Sequence, residues 1–204
     1  MNFYKKYGKR YIDIILSTFG LIILFPVLLI VAILIKLESK GSILFCKKRI
    51  GKEGNLFKLI KFRTMLEDKS KESLQFTPGD RQRITKIGRV LRKIKIDELP
   101  TLINVLKGDM SLVGPRPEVP KYLHFYEGEK REILSIQPGI TDFASKKYRD
   151  EEEILAKAEL PEKMYEEKIL PDKLELNMNY LRNISFKQDL QIILETIKVV
   201  SFSK

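Results

Sequence analysis

The chain has 204 residues, of which 44% are hydrophobic and 32% charged, and its formal net charge is +11. This length and composition predict a folded domain of ordinary size and exclude collagen-like and low-complexity proteins. The single cysteine, Cys46, excludes an intramolecular disulfide, and the positive charge indicates a polyanionic partner: nucleic acid, anionic lipid or a phosphorylated substrate.

The first predicted element is a long apolar helix over residues 11–35. Roughly 25 helical residues reach about 37 Å, which is enough to cross the hydrocarbon core of a bilayer. Basic residues flank both ends, so the positive-inside tendency would hold either flank in the cytoplasm. Pro26 lies near the centre, where it removes a helical hydrogen bond and predicts a kink. The segment therefore predicts membrane insertion, as a helix that returns to the same face or as a single-pass anchor.

Two short strands are predicted next, at residues 43–45 and 56–60, with a turn at residues 51–55 between them. Lys61 and Arg63 follow the second strand and are separated by one aromatic residue. Two cations at this spacing fit a phosphate site, and they fit an exposed basic strand end almost as well. Residues 68–82 are polar and predict a surface loop.

A basic amphipathic helix is predicted over residues 84–94, where isoleucine and leucine recur at helical spacing among arginines and lysines. Such helices lie on membranes or on nucleic acid, or they present a solvated face to water. Because this helix follows a membrane-inserted segment, the membrane surface is favoured, and we expect no nucleic-acid partner.

Two adjacent acids, Asp97 and Glu98, precede Pro100, which is tolerated only in the first turn of a helix. Taken alone, these carboxylates fit a helix cap that complements the helix dipole. However, basic residues precede them, and Arg116 follows between two prolines, where its guanidinium has little freedom. Together, the acids, the fixed arginine and the glycine-rich turns indicate a magnesium-assisted phosphoryl-transfer site.

The C-terminal part predicts a turn into a short strand at residues 137–142 and an acidic helical region from residue 149 with a solvated face. Ser185 and Gln188 have the spacing of a capping box. The helix that follows has an apolar face of Phe186, Leu190, Ile193 and Ile197, predicted to pack in the core or to face the membrane.

Several motifs of this chain occur in a fixed order between residue 9 and at least residue 145. They are Lys9-Arg10…Asp13, Ser39-Lys40-Gly41, Arg49-Ile50-Gly51-Lys52, Lys61-Phe62-Arg63-Thr64-Met65, Asp97-Glu98-Leu99-Pro100, Asn104-Val105-Leu106-Lys107-Gly108-Asp109-Met110-Ser111, Val113-Gly114-Pro115-Arg116-Pro117 and Pro138-Gly139-Ile140-Thr141. With these motifs the chain resembles the bacterial sugar transferases, the monotopic phosphoglycosyl transferases.

The resemblance implies a helix-rich, mixed α/β fold in two parts. Residues 1–38 would form a re-entrant membrane helix broken at Pro26, together with its basic flank. Residues 39–204 would form a small catalytic domain with amphipathic helices at the membrane surface, on the cytoplasmic face of the bacterial inner membrane. The length resembles that of the minimal catalytic form of the family.

The resemblance also implies the reaction: transfer of a sugar-1-phosphate from a UDP-sugar to polyprenyl (undecaprenyl) phosphate, with UMP as the second product. Asp97 would be the nucleophile that carries the phospho-sugar and a ligand of Mg²⁺, and Glu98 its acidic partner. Lys61, Arg92 and Arg116 would bind the substrate, and Arg63 remains a phosphate-binding candidate from its spacing. Membrane lipids and downstream glycosyltransferases would be further partners.

Two departures from the usual family pattern stand out. Phe25 precedes Pro26 where many members have serine, and Asp142 replaces the glycine that usually ends Pro-Gly-Ile-Thr-Gly, a change expected to affect the choice of sugar. Two alternative functions also fit the sequence: a membrane-anchored nucleotide-sugar hydrolase and a basic protein that binds partners at the membrane surface.

Overall fold

The computed structural model describes residues 3–66 and 83–201, so the loop predicted at residues 68–82 lies outside the described residues. Within them the molecule is helix-rich and mixed α/β, as predicted. The helices are α1 Lys9–Glu38, α2 Lys86–Lys93, α3 Thr101–Lys107, α4 Phe143–Lys147, α5 Glu151–Ala156, α6 Pro161–Met164, α7 Leu170–Arg182 and α8 Phe186–Ser201. The strands are β1 Leu44–Ile50, β2 Leu56–Phe62, β3 Ser111–Val113 and β4 Gly139–Thr141.

Helix α1 is the one helix in the described part of the chain that is long and apolar enough to cross a membrane. Helical structure continues through Pro26, so the helix is not divided into two elements there, and the predicted kink at this proline stays a prediction. Many apolar side chains of α1 face outward, among them Phe19, Ile22 and Leu37, whose exposed fractions are 64%, 67% and 78%. Water would solvate such a surface poorly, so it requires an apolar environment.

The first third of α1 is tied to the body of the protein by polar contacts. Arg10 donates to the carbonyl oxygens of Val105 at 2.5 Å and Leu106 at 2.9 Å, near the end of α3. The buried Asp13 carboxylate accepts the backbone N–H of Leu112 in β3 at 2.9 Å. Arg10 thus satisfies carbonyl groups that the end of a helix leaves without an intrahelical partner.

The last third of α1 packs against the same body. Val31 and Ile35 are buried in one apolar cluster with Phe62 of β2 and Leu91 of α2. The Glu38 carboxylate accepts the backbone N–H of Ile87 at 3.1 Å. Both ends of α1 therefore contact one folded unit.

The two sheets are small. Strands β1 and β2 form the predicted hairpin, antiparallel, with Leu44 opposite Phe62 and Ile50 opposite Leu56. Strands β3 and β4 pair in parallel, as the turn into β4 brings Gly139 opposite Ser111. A Cβ on Gly139 would lie 2.1 Å from the backbone nitrogen of Gly114, so only glycine permits this approach.

The main core lies around α7, whose Leu170 and Leu174 are fully buried, with Leu155 of α5 and Val113 of β3 beside them. These residues bring the C-terminal helices onto β3, next to the segment that carries Arg116. The core therefore packs against the segment that carries Arg116, the basic side of the candidate site.

The acidic region at residue 149 differs in part from its prediction. Glu151 does not simply face solvent, because its carboxylate lies 2.5 Å from the ammonium group of the buried Lys173. The expectation of a fully solvated face is therefore wrong at this residue, since a buried lysine requires a charge partner.

One half of the predicted capping box is present at the start of α8, where the hydroxyl of Ser185 accepts the backbone N–H of Gln188 at 3.3 Å, whereas Oε1 of Gln188 has no partner among the described residues. The buried face of α8 contains Ile192, whereas Phe186, Leu190 and Ile197 are exposed by 52%, 42% and 55%. The helix face was predicted to pack in the core or to face the membrane, and the exposure of these three side chains excludes the core for them.

Candidate active site

The acidic pair occupies its own 3₁₀ turn, Ile96–Glu98, ahead of α3. The sequence predicted it within the first turn of the helix, but Lys95 has a left-handed conformation that ends α2 and redirects the chain. Pro100 then caps α3. The turn directs the two neighbouring carboxylates into different surroundings.

Glu98 is held by two cations from distant parts of the chain. The Nζ atom of Lys61 lies 2.6 Å from Oε1 of Glu98, and Nη2 of Arg116 lies 2.7 Å from the same oxygen. Nη1 of Arg116 donates to Oε2 at 3.5 Å. The negative charge of Glu98 is therefore neutralised within the protein itself.

Asp97 is 8% exposed, and its Oδ1 atom has no hydrogen-bond partner among the described residues. Burial raises the pKa of Asp97, as does the charge of Glu98, whereas Lys61, Lys95 and Arg92 lower it. Burial also raises the pKa of Glu98, but Arg116 and Lys61 outweigh it and hold that pKa well below the usual range. The pair thus consists of one fixed, neutralised carboxylate and one buried carboxylate with an oxygen that has no hydrogen-bond partner among the described residues.

Asn104, which is fully buried on α3, positions Lys61 relative to the acidic pair. Its Oδ1 accepts the N–H of Ile60 at 3.0 Å, and its Nδ2 donates to the carbonyl oxygen of Lys58 at 2.8 Å. The Asn104 side chain therefore makes the two backbone hydrogen bonds that a neighbouring strand would make along the edge of β2. The sequence analysis placed Asn104 in a family motif without a role, because its partners lie more than forty residues away.

Asp142 positions the segment Pro115–Pro117. Its Oδ2 accepts the backbone N–H of Arg116 at 3.2 Å, while its Oδ1 accepts the backbone N–H of Ser145 at 2.6 Å and caps α4. Asp142 is 4% exposed. This carboxylate therefore links the N-terminus of α4 to the guanidinium-bearing residue of the site.

Arg49 is a further cation of the site that the sequence analysis did not select. Burial lowers the pKa of its guanidinium, and among the charges that act on it are those of Glu118, Arg116 and Glu98. Arg49 follows Lys47 and Lys48 on β1. The sequence shows three consecutive basic residues and does not indicate which of them lies near the acids.

Arg63 has a different position from the one its spacing suggested. It is 4% exposed, and its terminal nitrogens donate to the carbonyl oxygens of Lys40 and Ser39, each at 2.8 Å. These contacts fix the chain as it leaves α1. These contacts give Arg63 a structural role after α1, and its predicted role in substrate binding stays a prediction.

The acidic turn also adjoins the long apolar helix α1. Ile96, which directly precedes Asp97, packs against the cluster of Val31 and Ile35 on α1. The last turn of α2 carries Arg92, whose charge acts on Asp97. The candidate site thus combines a buried carboxylate, several cations and an adjacent apolar helix.

Comparison with known proteins assigns this arrangement to a family. A family model described as bacterial sugar transferase matches residues 4–203. The chain belongs to the bacterial sugar transferase family. This confirms the predicted resemblance.

Three relatives illustrate the range of this sugar transferase family. The chain is 35% identical over 202 residues to the UDP-N-acetylgalactosamine-undecaprenyl-phosphate N-acetylgalactosaminephosphotransferase of Aeromonas hydrophila, covering 94% of this chain and 43% of that protein. It is 37% identical over 203 residues to the undecaprenyl-phosphate glucose phosphotransferase of Komagataeibacter xylinus, covering 96% and 36%. It is 36% identical over 196 residues to the uncharacterized sugar transferase EpsL of Bacillus subtilis, covering 96% and 88%. The chain thus spans less than half the length of the first two relatives and most of the third.

The family resemblance implies Mg²⁺ as a metal ion for this sugar transferase. No group of three or more candidate ligands from His, Cys, Asp and Glu occurs within residues 3–66 and 83–201. Asp97 nevertheless offers an oxygen without a partner, whereas the oxygens of Glu98 are already paired. Mg²⁺ is commonly held by one or two carboxylates together with waters and substrate phosphates. A single protein carboxylate, that of Asp97, therefore fits this mode of binding.

Proposed function

We propose that the protein transfers a sugar-1-phosphate from a UDP-sugar to polyprenyl (undecaprenyl) phosphate, giving polyprenyl-diphosphate-sugar and UMP. The names of the Aeromonas and Komagataeibacter relatives support the class of substrate. The observation that carries the proposal is the buried Asp97 carboxylate, whose Oδ1 lacks a partner beside a neutralised Glu98 and an apolar helix.

In the first step Asp97 attacks the sugar-bearing phosphorus of the UDP-sugar. A bond forms between this phosphorus and a carboxylate oxygen, and the bond to the bridging oxygen breaks, so that UMP leaves with its electron pair. The buried Asp97 carboxylate, whose Oδ1 has no hydrogen-bond partner among the described residues, suits this role, because a nucleophile held by strong ion pairs would be less reactive.

In the second step a phosphate oxygen of the polyprenyl phosphate attacks the same phosphorus. The bond to Asp97 breaks, the carboxylate is regenerated, and the sugar-1-phosphate is now part of a lipid diphosphate. Glycosyltransferases that extend this lipid-linked sugar would act next.

Glu98 supports this chemistry by orienting cations. Its ion pairs hold Lys61 and Arg116 in fixed positions, where the remaining hydrogen-bond capacity of both groups can face phosphate oxygens. Arg92, in the last turn of α2, adds positive charge that acts on Asp97. Mg²⁺, held by Asp97 and substrate phosphates, would neutralise further charge on the transferring group.

The proposed topology is a re-entrant helix whose two ends lie on the cytoplasmic face of the bacterial inner membrane. Arg10 and Asp13 near one end, and Glu38 at the other, make polar contacts to one folded body. A helix that crossed the bilayer once would separate these contacts by the hydrocarbon core. The outward apolar surface of α1 would contact membrane lipids, with residues 1–38 as the membrane part and residues 39–204 as the catalytic domain.

The function is tested by incubating the purified protein in detergent with Mg²⁺ and a panel of UDP-sugars, with and without polyprenyl phosphate, and measuring UMP. Asp97→Asn removes the nucleophile with little change of shape, so we expect turnover to be lost. The covalent adduct that a labelled UDP-sugar would leave on Asp97 should also disappear, while the variant still associates with membranes. Asp150→Asn, which changes an exposed acid at the start of α5, is the matched control and should retain activity.

Two outcomes would contradict the proposal. Continuous release of UMP and free sugar phosphate without lipid would identify a hydrolase. Normal lipid product from Asp97→Asn would exclude this carboxylate as the nucleophile.

A further inference from the structure

Buried charged and polar side chains form a cluster directly after the segment that carries Arg116. Glu118, Tyr165 and Lys173 are all buried. The hydroxyl of Tyr165 donates to Oε1 of Glu118 at 2.6 Å and accepts from Nζ of Lys173 at 3.4 Å. The same Nζ lies 3.8 Å from Oε1 of Glu118 and 2.5 Å from Oε2 of Glu151. The chemistry proposed above uses none of these groups.

A charged cluster in a core rarely stabilises a fold more than apolar side chains of the same volume would. The cost of removing the charges from water offsets much of their mutual attraction. Leu170 and Leu174 show the apolar alternative, since they pack beside Tyr165 in the same core. What the polar cluster adds is direction, because hydrogen bonds hold the carboxylate of Glu118 in one orientation.

Glu118 is linked to Arg116 by a stiff piece of backbone. One residue separates them, Pro117, and both prolines of Pro115–Pro117 have a fixed φ angle. The carbonyl oxygen of Glu118 accepts the N–H of Ile50 at 2.9 Å, and that of Pro115 accepts the N–H of Gly139 at 2.9 Å. The backbone is therefore tied at both ends of the segment, and the cluster fixes the side chain that follows it.

The guanidinium of Arg116 is the other end of this chain of contacts. Its Nη2 lies 2.7 Å from Oε1 of Glu98, the same oxygen that Lys61 contacts. A group that binds a substrate has to be held within about 0.5 Å of its productive position, by neighbours whose own side chains are fixed. A shift of Glu118 would move the backbone from which the guanidinium of Arg116 projects.

We propose that Glu118, held by Tyr165 and Lys173, is a positioning residue that orients Arg116 toward the diphosphate of the nucleotide donor. This role rests on the proposed function, in which Arg116 binds the donor, and adds the residues that support this arginine. Tyr165 is the part of the support that can be removed alone. Phenylalanine would keep its ring in place against Tyr122, where the ring centroids are 5.0 Å apart.

Tyr165→Phe is the test variant, because it removes the hydrogen bond to Glu118 and keeps the packing. The Kd for UDP, measured by titration calorimetry with Mg²⁺, should rise about fivefold, the equivalent of one hydrogen bond. The KM for the UDP-sugar should rise by a similar factor. UDP carries the diphosphate of the donor and needs no turnover, so the two measurements are independent.

Tyr180→Phe is the matched control. The hydroxyl of Tyr180 is also buried and donates to a buried carboxylate, that of Asp189, at 2.7 Å. Both variants should lower the midpoint of thermal unfolding by about 2–4 °C, since each loses one buried hydrogen bond. Only Tyr165→Phe should weaken the binding of UDP.

A double variant separates positioning from a general loss of structure. In an Arg116→Ala background, adding Tyr165→Phe should change the Kd for UDP by less than about twofold, because a positioning residue acts only through the group that it positions. Glu118→Gln keeps the shape of the side chain and removes its charge. It should show the same rise in Kd and the same dependence on Arg116, so the result does not depend on the folding of one variant.

A wild-type Kd for UDP in Tyr165→Phe and Glu118→Gln would overturn this role. An undiminished effect of either change in the Arg116→Ala background would also overturn it, because Glu118 would then act by another route. The proposed function fails on a different observation, the absence of lipid product from the wild-type protein.

Discussion

At the scale of single residues, Asp142 joins two parts of the candidate site through the two oxygens of one carboxylate. Oδ1 accepts from Ser145 at the start of α4, and Oδ2 accepts the backbone N–H of Arg116. The glycine that the family resemblance leads us to expect at this position would offer no such acceptor. The aspartate therefore adds a hydrogen bond that holds the backbone at Arg116.

Asparagine separates the two roles of Asp142. Asp142→Asn retains one side-chain oxygen for the cap of α4 but presents an amide to the N–H of Arg116, which cannot accept a hydrogen bond. We expect the unfolding midpoint to be unchanged and kcat/KM for the UDP-sugar to fall about fivefold, the equivalent of about 1 kcal/mol.

Asp142→Ala removes both hydrogen-bond acceptors and is the comparison variant. It should show the same loss of activity together with a loss of about 1 kcal/mol in the free energy of unfolding, because the cap is also removed. If Asp142→Asn keeps full activity, the contact to Arg116 has no role in binding the donor.

At the scale of elements, α2 is held against the end of β2 by a close backbone contact. A Cβ on Gly88 would lie 2.2 Å from the carbonyl oxygen of Thr64, which belongs to the backbone and has no room to move. This contact sets the position of the last turn of α2, and with it Arg92 and Lys95 beside Asp97.

Gly88→Ala should therefore displace α2 as a whole. We expect a loss of about 1–3 kcal/mol in the free energy of unfolding. The value of kcat should fall more than it does in variants of neighbouring exposed residues. Gly20→Ala in α1 is the control, since its Cβ would meet Leu102 at an ordinary 3.5 Å and alanine favours helix. Equal stability of the two variants would contradict the close packing.

The N-terminal helical region is joined to the C-terminal helices by Asp189, a buried acid in the first turn of α8. Its carboxylate accepts from the hydroxyls of Tyr4 and Tyr180, each at 2.7 Å, and lies 2.5 Å from Nζ of Lys9. With 3% exposure, the group depends on these three partners.

Asp189→Ala leaves the ammonium group of Lys9 without its partner in a largely buried place. We expect a loss of about 3–5 kcal/mol in the free energy of unfolding, measured by denaturant titration in detergent. Glu167→Ala breaks the exposed pair with Lys163 and should change stability by less than about 1 kcal/mol. A small effect of Asp189→Ala would show that water or another group replaces the missing carboxylate.

At the scale of the whole molecule, the packing of α1 supports the topology proposed above. Both of its ends are bonded to one body, and its outward surface is apolar between them. The proposed re-entrant topology keeps both ends of α1 on the same side of the bilayer and so preserves these contacts.

Cysteine labelling in oriented membranes tests this topology. Cys46, the single cysteine, is exposed after α1, and Phe3→Cys in a Cys46→Ser background provides a second site before it. In intact spheroplasts an impermeant maleimide should label neither site, and after permeabilisation it should label both. Labelling of one site in intact spheroplasts would identify a single-pass helix.

Much of the local structure could be predicted from sequence patterns. The hairpin of β1 and β2, the cap at Ser185 and the apolar segment of α1 follow from residues close to one another in the chain, whose spacing reflects the period of a strand or a helix. The ordered motifs between residues 9 and 145, with the one around Asp97 among them, also predicted the family. These features depend on short-range geometry, which the order of residues records directly.

The tertiary structure decided which charges meet. The partners of Glu98 lie 37 and 18 residues away, and those of Asp189 as many as 185. Arg63 and Lys61 are two residues apart in the sequence, yet one holds the backbone after α1 and the other pairs with Glu98. The sequence lists the charged groups, but a charge takes its role from the opposite charge that folding brings within a few ångströms, and that distance is set by the packing of the whole chain.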